Sequence, residues 1–190
     1  MPSGSKNNPT AKSELRSHYL TLRKNIPDEK RVLASSLITA KVLDLPVTTA
    51  ARLISIYIST KFEVSTRQLI NALLKQNKQI FAPVIVEDSV VLRRLTSLES
   101  CVPGQKGILE PPASSAIIHP AEIELFLVPG LSFDAHRYRL GYGKGYYDRL
   151  LAQTQGYKLG LAFTDQVCYQ LPHHSHDIKM DQVLTDTVLL

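Results

Sequence analysis

Ile123-Glu-Leu-Phe-Leu-Val128 decides the fold of this chain, because five of these six residues are apolar. A short and nearly continuous apolar run is typical of a strand in a parallel sheet, where helices cover both faces. Pro129-Gly130 then forms a turn at the end of this strand. The segment therefore predicts the centre of a layered α/β sheet, around which the rest of the chain can be arranged.

The flanking sequence alternates between strand and helix patterns. Leu15, Tyr19, Leu22 and Ile26 recur at helical spacing and predict a first helix that ends before Pro27. Further strands are predicted at Leu53–Ser59, Gln79–Val86, Val90–Leu95, Lys158–Ala162 and Gln182–Thr185. Helices are predicted at Ala11–Asn25, Asp28–Leu45, Ser65–Gln76 and Gly145–Thr154, and Thr96–Pro120 is predicted to be mostly loop.

Two of the helix starts carry local signals. Asp28 can cap the second helix, and Ser65-Thr-Arg-Gln68 has the form of a capping box. The alternation of strands and helices predicts an α/β fold: one domain with a largely parallel central sheet and helices on both faces, in a Rossmann-like three-layer arrangement. We expect residues 11–190 to form this domain and residues 1–10 to be a flexible N-terminal tail.

The bulk composition is that of an ordinary globular protein. The chain has 190 residues, 44% of them hydrophobic and 21% charged, and no apolar run approaches the roughly 20 residues that span a bilayer. Residues 1–10 lack the apolar region of a signal peptide. Cys101 and Cys168 form no metal or redox motif, so we expect free thiols in a reducing cytosol. We therefore expect a cytoplasmic protein that does not enter membranes, and we expect a monomer.

The net charge of +5 suits an anionic ligand. Nucleic-acid-binding proteins usually carry their basic residues on one clustered face. Here the Lys and Arg residues are spread along the chain, and aromatic residues seldom alternate with them. The spread of these basic residues therefore does not favour nucleic-acid binding.

Arg139-Leu-Gly-Tyr-Gly-Lys-Gly-Tyr-Tyr-Asp148 is the stretch most informative about function. Glycine at every second position lets the backbone come close to an anion and direct N–H groups at it. Arg139 and Lys144 add positive charge, and Asp148 could hold a divalent metal. The run is neither a Walker A loop nor a dinucleotide fingerprint, and a tight surface turn is the structural alternative. Its place after a buried strand and before a helix favours a phosphate site.

Two further clusters of polar residues lie outside this run. Lys12, Arg16 and Arg23 fall on one strip of the first helix, beside its apolar stripe. Such a strip suits a polyphosphate, although a solvated basic face is the alternative. His173-His-Ser-His-Asp177 has three histidines in four residues and could bind a transition metal, but the preceding Pro172 and the polar surroundings favour a solvated loop.

Val128-Pro-Gly-Leu-Ser-Phe-Asp134 together with the glycine run resembles the signature of the 5-formyltetrahydrofolate cyclo-ligases, also called 5,10-methenyltetrahydrofolate synthetases. The resemblance extends along most of the chain, in order. It includes Lys12-Ser-Glu-Leu-Arg16, Ile54-Ser-Ile-Tyr-Ile-Ser59 with Glu63, Gly107-Ile-Leu-Glu-Pro111 and Met180-Asp-Gln-Val-Leu184. Some relatives carry a basic residue where this chain has Val84, and some have Arg at the position of Tyr142.

The resemblance implies an ATP- and Mg²⁺-dependent enzyme that acts on 5-formyltetrahydrofolate. It implies that Lys144, Arg139 and Tyr146 act in catalysis and that Asp148 and Asp181 hold Mg²⁺. It implies an ATP site formed by Lys12, Arg16, Arg139, Leu140, Gly141, Tyr142, Gly143, Lys144, Gly145, Tyr146 and Tyr147. The folate site that it implies contains Ile58, Glu63, Tyr142, Gly143, Lys144, Gly145 and Tyr146, although Glu63 taken alone would be an exposed loop acid.

Three other functions are compatible with parts of the sequence. A phosphate-binding module could have kept the glycine run and lost catalysis, but the presence of Asp148, Asp181 and Glu63 together argues against it. A nucleic-acid-binding protein would be suggested by charge alone. A sugar-phosphate isomerase could share an α/β scaffold, because fold does not fix function.

Overall fold

The fold is described by a computed structural model that covers residues 9–104 and 107–190. The helices are α1 (Pro9–Asn25), α2 (Asp28–Asp44), α3 (Pro46–Ala50), α4 (Arg67–Lys75) and α5 (Tyr146–Leu151). The strands are β1 (Leu53–Ile56), β2 (Gln79–Val86), β3 (Ser89–Leu95), β4 (Val102–Pro103), β5 (Leu109–Glu110), β6 (Ile117–Ile118), β7 (Leu125–Pro129), β8 (Ser132–Asp134), β9 (Arg139–Leu140), β10 (Tyr157–Leu161), β11 (Val167–Cys168) and β12 (Gln182–Leu184). Two single-turn 3₁₀ helices lie at Pro120–Glu122 and Thr164–Gln166.

The central sheet has the strand order β12-β10-β7-β1-β2-β3-β6. The strands from β12 to β2 are parallel, while β3 and β6 add an antiparallel edge. The first four residues of β7, Leu125 to Val128, are fully buried at the middle of this sheet. The predicted α/β class and the largely parallel sheet are therefore confirmed.

The side chains of β7 show the three layers directly. Leu125 and Leu127 join a core with residues of α2 and α4, whereas Phe126 and Val128 join a second core with Leu150 and Leu151 of α5. Successive side chains of a strand point to opposite faces, so helices lie on both sides of the sheet. This arrangement explains why the strand has almost no polar residues.

α1 packs beside the main sheet on a small one with the order β11-β8-β9. Its Tyr19 is buried with Leu131, Leu140 and Leu171 in a separate apolar cluster. Because β8 and β9 form the hairpin that leads into the glycine loop, this packing brings α1 against the loop. The predicted apolar stripe of α1 is thus what positions the cationic strip next to it.

The start of the chain differs in detail from the prediction. α1 begins at Pro9, so the last two residues of the predicted tail are helical, and residues 1–8 lie outside the described residues. α2 begins at Asp28, but the N-cap position is Pro27 and no side chain caps the helix. The Asp28 carboxylate instead pairs with Arg31 one turn later. α3 was not predicted, although Pro46 occupies a first-turn position that suits proline.

The predicted capping box at Ser65–Gln68 is wrong. α4 begins at Arg67, and Thr66 at its N-cap makes no side-chain capping bond. The Thr66 hydroxyl donates instead to the Tyr57 carbonyl (2.7 Å) and accepts from the Ser59 backbone N–H (3.1 Å). These contacts close a loop directly after β1, and therefore the strand ends at Ile56 rather than at the predicted Ser59.

The segment predicted as loop from Thr96 to Pro120 contains short strands that depend on distant partners. β6 pairs with β3 and extends the main sheet, and β4 pairs with β5 in a two-stranded sheet. Two-residue strands carry no periodicity of their own, so sequence patterning does not reveal them. For the same reason the β8–β9 hairpin, which precedes the glycine loop, was not predicted.

Candidate active site

The glycine loop runs from Gly141 to Gly145, between β9 and α5. Gly143 (φ +93°) and Gly145 (φ +66°) adopt left-handed conformations that favour glycine. A Cβ at Gly143 would lie 3.1 Å from the guanidinium carbon of Arg16, and one at Gly141 would lie 2.6 Å from a guanidinium nitrogen of Arg139. The groups that approach these glycines closely are two arginine side chains, and the approach of an anion to the same backbone stays a prediction.

The cationic strip of α1 faces this loop. The Lys12 ammonium lies 2.6 Å from a carboxylate oxygen of Asp177, and Arg16 Nε donates to the Gly141 carbonyl at 3.0 Å. Arg23 Nη2 donates to the Tyr142 hydroxyl at 2.5 Å. The strip is therefore not a freely solvated basic face. Arg16 and Arg23 contact the glycine loop, and Lys12 contacts Asp177.

Arg139 and Asp148 form an ion pair within the glycine run. Arg139 Nη2 lies 3.2 Å from both carboxylate oxygens, and its guanidinium carbon lies 5.2 Å from the ring centroid of Tyr147. The Ile178 backbone N–H donates to the same Asp148 carboxylate at 3.4 Å. Asp148 is thus only 18% exposed and has its charge balanced inside the site.

Asp181 is held by different partners. Its carboxylate accepts the Lys158 backbone N–H at 2.7 Å and lies 3.7 Å from the Lys158 ammonium. The Ile178 backbone that donates to Asp148 lies three residues before Asp181, but the two candidate metal ligands have separate partners. Within residues 9–104 and 107–190, no group of three or more His, Cys, Asp or Glu side chains could hold a metal ion.

Glu63 lies in the loop that Thr66 closes after β1. One of its carboxylate oxygens accepts both the backbone N–H and the hydroxyl of Thr60, each at 2.9 Å, and the other lies 3.8 Å from Arg23 Nη1. Its side chain is only 10% exposed. The expectation of an exposed loop acid is therefore wrong. Ile58, the other predicted folate residue of this loop, is buried in the core.

The Glu63 carboxylate affects the ionisation of two buried tyrosines, Tyr57 and Tyr147, and Tyr147 belongs to the glycine run. Burial raises the pKa of Tyr57 well above its usual value, and the Glu63 carboxylate adds to this effect. Burial also raises the pKa of Tyr147, again with a contribution from Glu63. Both phenols therefore stay protonated, and the Tyr57 hydroxyl donates to the Val64 carbonyl at 3.0 Å, which fixes the Glu63 loop.

Lys144 and Tyr146 occupy the exposed side of the loop. Among the described residues, the Lys144 ammonium makes no hydrogen bond or ion pair, whereas its carbonyl accepts from Arg149 Nη1 at 2.9 Å. The Arg149 guanidinium also lies over the Tyr146 ring, 5.1 Å from its centroid. Sequence reasoning missed this arginine, which follows the glycine run directly and holds its last turn.

The histidine segment lies beside Lys12 and borders a cavity of about 550 Å³. His173 stacks on Tyr138 with ring centroids 3.7 Å apart, and the rings of His174 and His176 stack at 5.3 Å. Burial opposes ionisation of Asp177, but its hydrogen bonds from Lys12 and the His174 backbone lower its pKa. The segment is thus a loop whose Ser175 and His176 are exposed, as predicted, whereas the pairing of its Asp177 with Lys12 was missed.

These features define a class: a three-layer α/β protein whose cation-rich glycine loop follows the central strand β7 through the β8–β9 hairpin and suits a phosphorylated ligand. The model of the 5-formyltetrahydrofolate cyclo-ligase family matches residues 8–186, and the chain belongs to that family.

Curated relatives agree with this assignment. The 5-formyltetrahydrofolate cyclo-ligase of Mus musculus is 33% identical, with 92% of this chain and 93% of the relative covered. The enzyme of the same name from Haemophilus influenzae is 28% identical, with 93% and 98% covered.

Solved structures also resemble the fold closely. The NMR structure of the 5,10-methenyltetrahydrofolate synthetase of Aquifex aeolicus has a TM-score of 0.86 and 34% identity, covering 94% of this chain and 91% of that one. The 5,10-methenyltetrahydrofolate synthetase of Mycoplasma pneumoniae has a TM-score of 0.76 and 25% identity, covering 92% and 98%.

Proposed function

We propose that this chain catalyses the ATP-dependent cyclisation of 5-formyltetrahydrofolate to 5,10-methenyltetrahydrofolate, with release of ADP and phosphate. Family membership supports the reaction. The structural observation that carries it is the contact of α1 with the glycine loop, where Arg16 Nε donates to the Gly141 carbonyl at 3.0 Å. That contact gathers cations from two distant parts of the chain around one backbone suited to phosphates.

The chemistry requires an activated formyl oxygen, because an amide-like oxygen is a poor leaving group. In the proposed sequence the formyl oxygen attacks the γ-phosphorus of ATP, and the bond from that phosphorus to the β,γ-bridging oxygen breaks to release ADP. N10 of the folate then attacks the formyl carbon and loses its proton. The bond from carbon to the phosphorylated oxygen breaks, and phosphate leaves. No protein nucleophile is needed.

The protein's part is positioning and charge stabilisation, as in phosphoryl transfer generally. We assign Lys12, Arg16, Arg139 and Lys144 to the developing phosphate charge. The first three have protein partners, which fix the orientation of their side chains. Lys144 is exposed on the loop and is therefore the cation best able to follow the γ-phosphate.

Glu63 is assigned to the folate. A carboxylate can accept paired hydrogen bonds from the ring N–H and the amino group of a pterin. The Thr60 contacts hold one Glu63 oxygen in place, whereas the other lies 3.8 Å from Arg23 and can accept a further donor. Tyr146 and the backbone from Tyr142 to Gly145 are assigned to the opposite side of the substrate.

Magnesium is assigned to Asp148 and Asp181. Mg²⁺ typically takes one or two carboxylates and completes its shell with phosphate oxygens and water, so two carboxylates suffice. Asp181 is 45% exposed, and among the described residues Asp148 Oδ2 accepts from Arg139 alone, so each carboxylate keeps lone pairs for such an ion. The ion would supply positive charge at the phosphates, and the carboxylates would fix where that charge lies.

We further propose that the protein works as a monomer in the cytoplasm. Contacts within one chain already join α1 to the glycine loop and to the loop that carries Glu63. Both cysteines are free thiols, in keeping with a reducing compartment. In the described part of the chain, no helix combines the length and apolar content needed to cross a bilayer. Sedimentation of the purified chain would test the monomer directly.

The decisive experiment follows absorbance in the band of the methenyl product, with and without ATP and Mg²⁺. We expect an increase that needs both, together with stoichiometric ADP. Binding of ATP without any such increase would leave a non-catalytic phosphate-binding module as the function, and would overturn the proposal.

A further inference from the structure

Arg23 connects the two halves of the site. It lies in the last turn of α1 and is only 4% exposed, although it belongs to the same strip as Lys12 and Arg16. Its guanidinium contacts three segments that are distant in sequence: Tyr142 of the glycine loop, Glu63 of the loop after β1, and the turn after β7. None of the roles assigned so far uses this side chain.

The contacts are divided between its two terminal nitrogens. Nη2 donates to the Tyr142 hydroxyl at 2.5 Å. Nη1 lies 3.8 Å from the Glu63 carboxylate and 3.5 Å from the Gly130 carbonyl. We propose that Arg23 is a positioning residue that fixes Glu63 and Tyr142 relative to each other, so that the folate side and the phosphate side of the site are set together. This inference rests on the proposed function.

Tyr142 is the residue whose position most needs such a contact. Its side chain is 57% exposed, so packing alone does not fix it. Arg23 holds it through the hydroxyl and through its ring, whose centroid lies 5.8 Å from the guanidinium carbon. The next residue, Gly143, has a left-handed backbone and no side chain, so the local chain does little to fix the position of the Tyr142 ring.

Glu63 needs the same contact for a different reason. Its carboxylate is nearly buried and is close enough to raise the pKa of Tyr57 and Tyr147, so it lies near apolar and aromatic groups. A carboxylate in such surroundings is costly without a cation, and Arg23 is the cation that the structure pairs with it.

Arginine suits this task better than lysine would. The planar guanidinium presents two terminal nitrogens in fixed directions, whereas an ammonium is a single point of charge. Among the described residues Arg23 Nε has no hydrogen-bond partner, so the two terminal nitrogens alone make the connection. Arg23→Lys should therefore keep the buried charge and lose the simultaneous contact with both loops.

A double-mutant cycle tests the connection through activity. Tyr142 and Glu63 both contact Arg23, and no contact between them is found in the described residues. We expect Tyr142→Phe and Glu63→Gln to be non-multiplicative in kcat/KM, with the double variant at least about threefold more active than the product of the single effects. This coupling should vanish in an Arg23→Lys background. The proposal would be overturned if the two effects were multiplicative. It would also be overturned if the coupling persisted in the Arg23→Lys background, because the bound folate would then transmit it.

A second measurement needs neither substrate nor turnover. In the ligand-free protein, the ring NMR signals of Tyr142, assigned by their loss in Tyr142→Phe, should shift in both Arg23→Lys and Glu63→Gln. Lys24→Ala is the matched control, since Lys24 is the next residue in the same helical turn and is exposed. The proposal would be overturned if the Tyr142 signals shifted no more in Glu63→Gln than in Lys24→Ala. This comparison decides the question even if Arg23→Lys fails to fold. A wild-type protein that shows the shifts but no turnover would instead refute the proposed function.

Discussion

Arg139 Nη2 donates to both carboxylate oxygens of Asp148, each at 3.2 Å. A residue assigned to phosphate and a residue assigned to the metal thus neutralise each other in this structure. When ATP and Mg²⁺ bind together, the phosphates can take Arg139 and the ion can take Asp148, and neither charge is left buried without a partner. This exchange gives a physical reason why nucleotide and metal should bind cooperatively.

Asp148→Asn tests this exchange. The variant keeps the shape of the side chain but loses the negative charge that Mg²⁺ requires, so we expect the Mg²⁺ concentration for half-maximal activity to rise by about tenfold or more. A magnesium titration at fixed, saturating ATP measures the change. Asp44→Asn, at the exposed end of α2, should leave the titration unchanged. An unchanged titration in Asp148→Asn would remove Asp148 from the metal site.

Lys144→Ala tests the phosphate assignment. Because the ammonium makes no ion pair or hydrogen bond with the described residues, its removal should leave the thermal unfolding temperature unchanged. Turnover should nevertheless fall by about 100-fold or more, since a cation matched to the transition state is lost. The exposed Lys75→Ala, in the last turn of α4, serves as the control for general surface charge. Near-normal turnover in Lys144→Ala would refute the role.

Patterns within one element were predictable from the sequence, and contacts between distant elements were not. The apolar run that overlaps β7 predicted the covered sheet, because Leu125 to Val128 are each buried by their own position in the strand. The strip on α1 was also predictable, since helical spacing fixes which residues share a face. Thr66 shows the limit of such prediction. Its hydroxyl donates to the Tyr57 carbonyl and does not cap α4, and this contact exists only because the folded loop brings the two residues together.

The candidate site shows the same division. The glycine run predicted a phosphate loop from local chemistry, but the partner of Lys12 is Asp177, 165 residues away. Asp177 carries no signal in the sequence beyond its place after a histidine cluster. Asp148 and Asp181 were paired only through the resemblance, and the structure gives them separate partners. Partner identity in this site depends on the fold, and therefore could not be deduced from spacing.

The ion pair between Lys12 and Asp177 predicts a pH dependence of stability. Burial disfavours the charged carboxylate, but the hydrogen bonds from Lys12 and the His174 backbone prevail, and the pKa of Asp177 falls below its ordinary value of 3.8. A carboxyl with a lowered pKa in the folded state stabilises the protein above its unfolded-state value, and this contribution is lost as the pH falls through the folded-state value. The unfolding free energy of the wild type should therefore fall as the pH drops below about 4, and it should fall less in Asp177→Asn.

Urea denaturation between acid and neutral pH measures this effect. Asp165→Asn is the control, because Asp165 pairs with Lys30 at the surface, where both side chains are at least 40% exposed and solvent screens the pair. Its denaturation curves should follow the wild type at every pH. If Asp177→Asn and the wild type lose the same unfolding free energy between neutral and acid pH, the ion pair contributes no pH-dependent stability.

The Tyr57 hydroxyl predicts how the Glu63 loop supports folate binding. Tyr57→Phe removes the 3.0 Å hydrogen bond to the Val64 carbonyl and leaves a buried acceptor unsatisfied. Such a loss typically costs about 1–3 kcal/mol of stability. Because Val64 follows Glu63 directly, we also expect the KM for 5-formyltetrahydrofolate to rise severalfold while the KM for ATP stays close to the wild-type value. Tyr169→Phe, at a side chain that is 79% exposed, should change neither constant. Equal increases in both KM values would mean that the loop does not act on the folate side alone.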